Sequence, residues 1–166
     1  MIDSTYLNVL HKIYTRLNGT NINWVATGSL SSALQGVPVS PNDIDIQTDE
    51  VGAYEIERCF SGFVAREVKF SAAEKIRSHF GALVINGIKV EIMGDIQKRL
   101  ADGTWEEPVD LERYKRFVEV EGMHIPVLPL EYEYQAYIKL GRVEKAQMLK
   151  QVLEGSEKAC QSLGEV

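Results

Sequence analysis

Tyr6, Leu7, Leu10, Ile13, Tyr14 and Leu17 recur at three- and four-residue intervals. That spacing lines apolar side chains along one face of a helix, and Asn18-Gly19 supplies its stop. Residues 23–27, with Trp24, Val25 and Ala26 at their centre, predict a short buried strand. Gly28 breaks it, and Ser29 is expected to N-cap a short helix ending near Gly36. Residues 37–42 contain Pro38 and Pro41 and predict a loop. From Asp43 to Gln47, polar and apolar positions alternate strictly, as they should in a strand with two different faces. A helix is predicted from Asp49 to about Phe60, and residues 62–93 are mostly strand. Asn86-Gly87 is a strong hairpin turn between segments 80–85 and 88–93. A second hairpin is predicted between 117–120 and 123–127 across Glu121-Gly122. Two helices, about 130–140 and 143–153, close the chain and part at Gly141. The order of elements predicts a mixed-sheet α/β or α+β domain.

A chain of 166 residues, 45% of them apolar, is one ordinary globular domain with enough material for a core. Eighteen basic residues against 24 acidic ones leave a net charge of −6. This argues against a broad basic surface for nucleic acid and leaves a local positive groove open. No apolar run approaches the ~18 residues of a membrane span, and no charged leader precedes an apolar block. Asn18-Gly19-Thr20 matches a glycosylation sequon, which without a secretory signal reads as chance. Cys59 and Cys160 lie far apart without metal-ligand spacing. They are expected to be reduced thiols in a cytoplasmic protein.

The chemistry concentrates in three short stretches. Side chains two apart on a strand point the same way, so Asp43 and Asp45 would share one face while Ile44 and Ile46 enter the core. On the hairpin strand, Ile88, Val90 and Ile92 share a face and leave Lys89 and Glu91 on the other. If the two strands are neighbours, Glu91 completes a three-carboxylate cluster. Crowded carboxylates repel one another and have raised pKa values unless a cation compensates. Magnesium, which prefers oxygen ligands, fits best. Gly28 and Ser29 stand at a strand-to-helix junction, where free backbone N–H groups favour an anion such as phosphate.

Thr27-Gly28-Ser29, a thirteen-residue gap, Asp43-Ile44-Asp45-Ile46 and the later Val90-Glu91-Ile92 together resemble the polymerase-beta-like nucleotidyltransferases. The resemblance covers about residues 22–95. It is closest to the small stand-alone branch of antibiotic nucleotidyltransferases and nucleotidyltransferase toxins. It implies a mixed-sheet nucleotidyltransferase core over residues 1–128, with flanking helices, and a helical C-terminal tail over 129–166 packed on the same domain. It also implies two Mg2+ ions, with Mn2+ as an alternative, and a nucleoside triphosphate as co-substrate. Asp43, Asp45 and Glu91 would be the catalytic and metal-holding acids, and Gly28 and Ser29 would hold phosphates. In toxins of that branch a lysine on a helix after the core is associated with triphosphate binding, and Lys139 is the matching position. Arg142-Val143-Glu144-Lys145 departs from the Arg-Asp pattern that often follows.

The leading expectation is transfer of a nucleoside monophosphate from the triphosphate to a hydroxyl, releasing pyrophosphate. The acceptor is a small molecule, a protein side chain or a tRNA end. The alternative is a non-catalytic nucleotide- or partner-binding module, such as one component of a toxin–antitoxin pair with a small helical partner. His11, His79 and His124 lack partner spacing and read as structural or solvent-facing. Arg66, Lys69, Lys75 and Arg77 form a mildly basic stretch, either a solvated strand face or the lining of an acceptor groove. Tyr132, Tyr134 and Tyr137 read as packing. No dinucleotide-binding glycine motif, P-loop, nucleophile elbow or C-x-x-C occurs. Ser29 is therefore expected to be a phosphate donor and not a nucleophile.

Overall fold

The computed structural model describes residues 2–164, with side chains through residue 157. Its centre is one seven-stranded mixed sheet. The strands, in chain order, are β1 (Trp24–Thr27), β2 (Ile44–Thr48), β3 (Val64–Ala72), β4 (Ile76–Ile85), β5 (Ile88–Lys98), β6 (Arg116–Val120) and β7 (Met123–Val127), and they lie side by side as β3-β4-β5-β2-β1-β7-β6. β2 runs antiparallel to β1 and parallel to β5. This is the mixed α/β architecture that the order of elements predicts.

One face of the sheet holds the main core. Ile44 and Ile46 on β2, Val90 and Ile92 on β5, and Leu83 and Ile85 on β4 all point into it and are almost wholly buried. Helices α1 (Ser4–Leu17) and α3 (Glu50–Cys59) cover that face. α1 buries Val9, Leu10, Ile13 and Leu17, and Asp3 caps it by accepting from the Thr5 N–H at 2.8 Å. α3 buries Ala53 and Ile56, and the Asp49 carboxylate accepts from Gly52 N at 2.7 Å. Each large aliphatic side chain buried here stabilises the fold by about 1.5–3 kcal/mol, which pins the register of β2 and β5. A one-residue slip in either strand would turn its isoleucines outward. The acids between them are thereby committed to the opposite face.

Helix α2 (Gly28–Leu34) begins directly at the end of β1, with Thr27 rather than Ser29 in the cap position. The reason is Gly28, whose φ of +72° turns the chain at the last strand residue, so the helix starts earlier than the predicted Ser29 cap. The Asn86-Gly87 turn has φ of 50° and 77°, the left-handed pair that a two-residue hairpin needs. Beyond it β5 does not stop at Met93 but continues to Lys98, crossing a bulge. His79 pairs with Gly94, but Arg77 pairs with Gln97, one residue later than an unbroken ladder would give, and Asp95 between them has φ of 50°. A short helix α4 (Leu111–Tyr114), which the apolar pattern does not reveal, precedes the second hairpin. Helix α5 (Leu130–Lys139) and helix α6 (Val143–Gly164) follow, the latter longer than predicted. They bury Tyr137, Ala146 and Leu149 with Val37 of the loop after α2. Cys59 is a free thiol, whereas the side chain of Cys160 lies outside the described residues.

Candidate active site

β2 and β5 are neighbours, and the register sets Asp45 opposite Glu91. The alternation that buries Ile44, Ile46, Val90 and Ile92 presents Asp45 and Glu91 together on the far face, with Asp43 beside them. The antiparallel partner of Asp45 on β1 is Thr27, the residue before Gly28. The turn and the acids are therefore one locus. Gly28 is needed here twice over. Its φ is left-handed, and its Cα lies so close to the Asp45 carboxylate that a Cβ would overlap Oδ2.

Burial first, and then the charges of Glu91 and Asp43, push the Asp45 carboxyl up to about 7. The Lys89 ammonium lies 2.9 Å from Glu91 and 3.5 Å from Asp43. Its hydrogen bond to Glu91 and the charges of both acids raise its own pKa. Lys89 thus pairs with Glu91 and Asp43 inside the acidic cluster. Among the described residues, no three Asp, Glu, His or Cys side chains are already drawn together as a metal cage. The donor set nonetheless fits a hard divalent cation. It is all carboxylate oxygen, and the charges of Glu91 and Asp43 that add to the effect of burial on Asp45 are ones a bound cation would offset.

Glu133 of α5 is the functional candidate that sequence reasoning missed. Its carboxylate is buried and accepts from the Thr27 hydroxyl beside the Gly28 backbone. Burial raises its pKa, and Thr27 and the Gly28 N–H oppose the rise. A side-chain anion therefore stands against the turn expected to meet a phosphate. The signal was available: Leu130, Glu133 and Tyr137 are the buried positions of α5, and an acid at that spacing is out of place on an apolar face. Lys98 was also missed. Without the bulge at Asp95 it would fall on the core face with Ile92, but the extra residue turns it to the acidic side. There it is buried 5.7 Å from the Tyr132 ring, within the fields of Glu106 and Glu133, and burial lowers its pKa.

The other expected positions divide. Ser29 accepts from Asn42 N at 3.3 Å and opens into a crevice of about 60 Å³ with Tyr137, Lys145, Met148 and Leu149. Lys139 is not in that crevice. It is half-exposed and pairs with Glu106 at 3.1 Å. The cation beside the Gly28-Ser29 turn is Lys145, which also lies 5.7 Å from the Tyr137 ring and within the field of Glu133. His79 meets the Tyr54 hydroxyl through Nδ1 at 3.2 Å, in keeping with a structural role.

A strand–turn–helix joined to an acidic strand pair within a mixed sheet is the fold of the nucleotidyltransferases. The chain belongs to the aminoglycoside-2''-adenylyltransferase family, whose model matches residues 9–151. A candidate nucleotidyltransferase from Thermotoga maritima, known from a crystal structure, is 70% identical, with 93% of this chain and 96% of that one covered and a TM-score of 0.83. The same fold is found in ANT(2'')-Ia in complex with adenylyl-2''-tobramycin, at 16% identity, a TM-score of 0.59 and coverage of 93% and 92%. It is found again in an antigenic nucleotidyltransferase-like protein from Paracoccidioides brasiliensis, at 12% identity, a TM-score of 0.51 and coverage of 87% and 75%. No curated protein sequence matches the chain. Among the described residues, no helix is long and apolar enough to cross a membrane.

Proposed function

We propose that this protein transfers a nucleoside monophosphate from a nucleoside triphosphate to a hydroxyl acceptor. An acceptor oxygen attacks the α-phosphorus, a new P–O bond forms, and the bond to the leaving pyrophosphate breaks. The hydroxyl proton passes to a carboxylate of the cluster or to water. The observation that carries this reading is the Asp45–Glu91 register beside Gly28, which joins the acids and the phosphate turn in one place. Asp43, Asp45 and Glu91 would hold magnesium, two ions in the full complex, with manganese able to substitute. Bound there, divalent ions would withdraw charge from the phosphates and lower the pKa of the acceptor hydroxyl.

The remaining work falls to the chain itself. Asp45, central between β1 and β5, orients the triphosphate relative to the cluster, and Glu91 on β5, the strand toward β4 and β3, faces the acceptor. Lys89 neutralises Asp43 and Glu91 before substrate arrives and gives way when cations bind. Ser29 and Lys145 would meet the distal phosphates from the α6 side, and the Gly28 N–H would join them once Glu133 moves aside. Lys139 can reach the same anion only by leaving Glu106. Incubation with each labelled triphosphate, magnesium and a panel of acceptors tests the reading, with pyrophosphate release and label transfer both followed. Metal-dependent transfer that Asp45→Asn abolishes is expected. Transfer that persists in that variant would remove the acids from the chemistry.

A further inference from the structure

The candidate site has two sides. One is closed by the helices that carry Glu133, Tyr137 and Lys145, while the other continues across the sheet through β4 to the edge strand β3. Pairing fixes which side chains lie there. Glu91 pairs with Ala82, and Ala82 pairs with Arg66, so these three form one row with Asp45 on the same face. Met93, Phe80 and Lys69 form the next row. Two irregularities in β3, one on each side of Arg66, make this possible. They turn Arg66 onto the acidic face, where Lys69 already lies by alternation, while Val68 between them stays buried in the main core. Glu67 falls in the second bulge, outside the paired positions.

Arg66 and Lys69 are exposed, Phe80 and Met93 are half-buried, and the Arg66 guanidinium lies 4.8 Å from the Phe80 ring centre. Among the described residues, neither Arg66 nor Lys69 forms an ion pair; several other basic side chains also form none, and what sets these two apart is their place on the acidic face beside Phe80. In a chain of net charge −6, two unneutralised cations and an aromatic ring continue the catalytic row outward. Strands lie about 4.8 Å apart, which sets Arg66 roughly 10 Å from Glu91, two strands away.

We propose that this β3–β4 strip is the acceptor subsite and that it takes a phosphate-bearing hydroxyl compound. The acceptor's hydroxyl lies at Glu91, its phosphate on Arg66 and Lys69, and its ring or apolar part on Phe80 and Met93. The proposal rests on the nucleotidyl-transfer reading and names its acceptor class. A guanidinium supplies paired N–H donors to a phosphate and an ammonium supplies a point charge. Arg66 and Lys69 would repel the ammonium groups of an aminoglycoside seated on the outer part of this strip, so a phosphate compound and a polycation should be told apart there. The phosphate can belong to a small sugar phosphate or to the end of an RNA strand, and the two are separable by experiment.

The test uses the full chain with magnesium and a saturating non-hydrolysable ATP analogue. Glucose 6-phosphate, a hexauridylate RNA, tobramycin and neutral glucose are titrated in turn by calorimetry. At least one phosphate probe should bind the wild type, and tobramycin should bind no better than glucose. Binding by glucose 6-phosphate alone identifies a small monoester, and binding by the RNA alone identifies a strand end. The double variant R66E/K69E should weaken the phosphate probe at least tenfold, R66Q/K69Q should weaken it less, and neither should change analogue affinity. Unchanged phosphate binding in R66E/K69E, tighter binding of tobramycin, or no binding of either phosphate probe to the wild type overturns the proposal. The two cations would then only guard an exposed sheet edge. Failure of the underlying reading shows separately, as analogue binding that needs no magnesium or survives Asp45→Asn.

Discussion

Replacing Asp45 by Asn removes one half-buried carboxyl from the cluster and nearly preserves its shape, so the pH dependence of stability reports the cluster directly. The Asp45 carboxyl goes from 3.8, its ordinary value, up to about 7 in the folded, cation-free protein. The folded state therefore holds its proton more tightly than the unfolded chain. Stability from this group is fully present below about pH 4 and is lost as pH rises toward and through 7. Linkage with those two values gives a loss of about 2–3 kcal/mol between pH 5 and pH 8. The variant cannot titrate at this position and should escape that loss. Urea unfolding in chelator-containing buffer, followed by the fluorescence of the buried Trp24, measures it at both pH values. Wild type should fall by about 2–3 kcal/mol more than Asp45→Asn between them. Magnesium at a hundredfold excess over its dissociation constant should restore about 2.7 kcal/mol to the wild type at pH 8 and much less to the variant. Parallel pH profiles for the two proteins would show that Asp45 is not held in a crowded acidic cluster and would refute the argument.

Glu91→Gln should lower turnover much more than triphosphate affinity, since Glu91 lies on the acceptor side; single-turnover rates and nucleotide titrations separate the two, and equal losses would place it in nucleotide binding. Gly28→Ala forces a left-handed φ on alanine and drives its Cβ into the Asp45 carboxylate, so it should cost about 1–3 kcal/mol in urea unfolding, and an unchanged midpoint would show that the turn relaxes freely. Lys145→Ala should weaken triphosphate binding by about 1–3 kcal/mol, the scale of a charge-assisted hydrogen bond, and monophosphate binding less. Lys139→Ala should change triphosphate binding less than Lys145→Ala does, and the reverse order in a side-by-side titration would return the phosphate contact to Lys139.

Much of this protein follows from local pattern. Alternation along residues 43–47 and 88–93 commits the isoleucines and valines to the core and the acids to the other face, whichever strands they join. Asn86-Gly87 and Glu121-Gly122 provide the left-handed turn residues of their hairpins, and helical spacing in residues 6–17 marks the face that α1 buries. Gly28 next to Ser29, followed by paired aspartates, points to phosphate and metal chemistry because few other sites need those groups together. What alternation cannot supply is adjacency. That Asp45 stands opposite Glu91 depends on β2 and β5 pairing in parallel across 45 intervening residues of sequence, a contact that no local preference encodes. The bulges at Asp95 and on either side of Arg66 are equally hidden, because an extra residue inverts the face of everything beyond it without altering composition. Lys98 and Arg66 owe their positions on the acidic face to those inversions, whereas Lys69, beyond both β3 irregularities, stands where simple alternation with Val68 puts it. Glu133 and Lys145 reach the turn only because α5 and α6 fold back over it. Sequence periodicity determines which side of its own element a residue occupies, and tertiary packing alone decides which elements face each other.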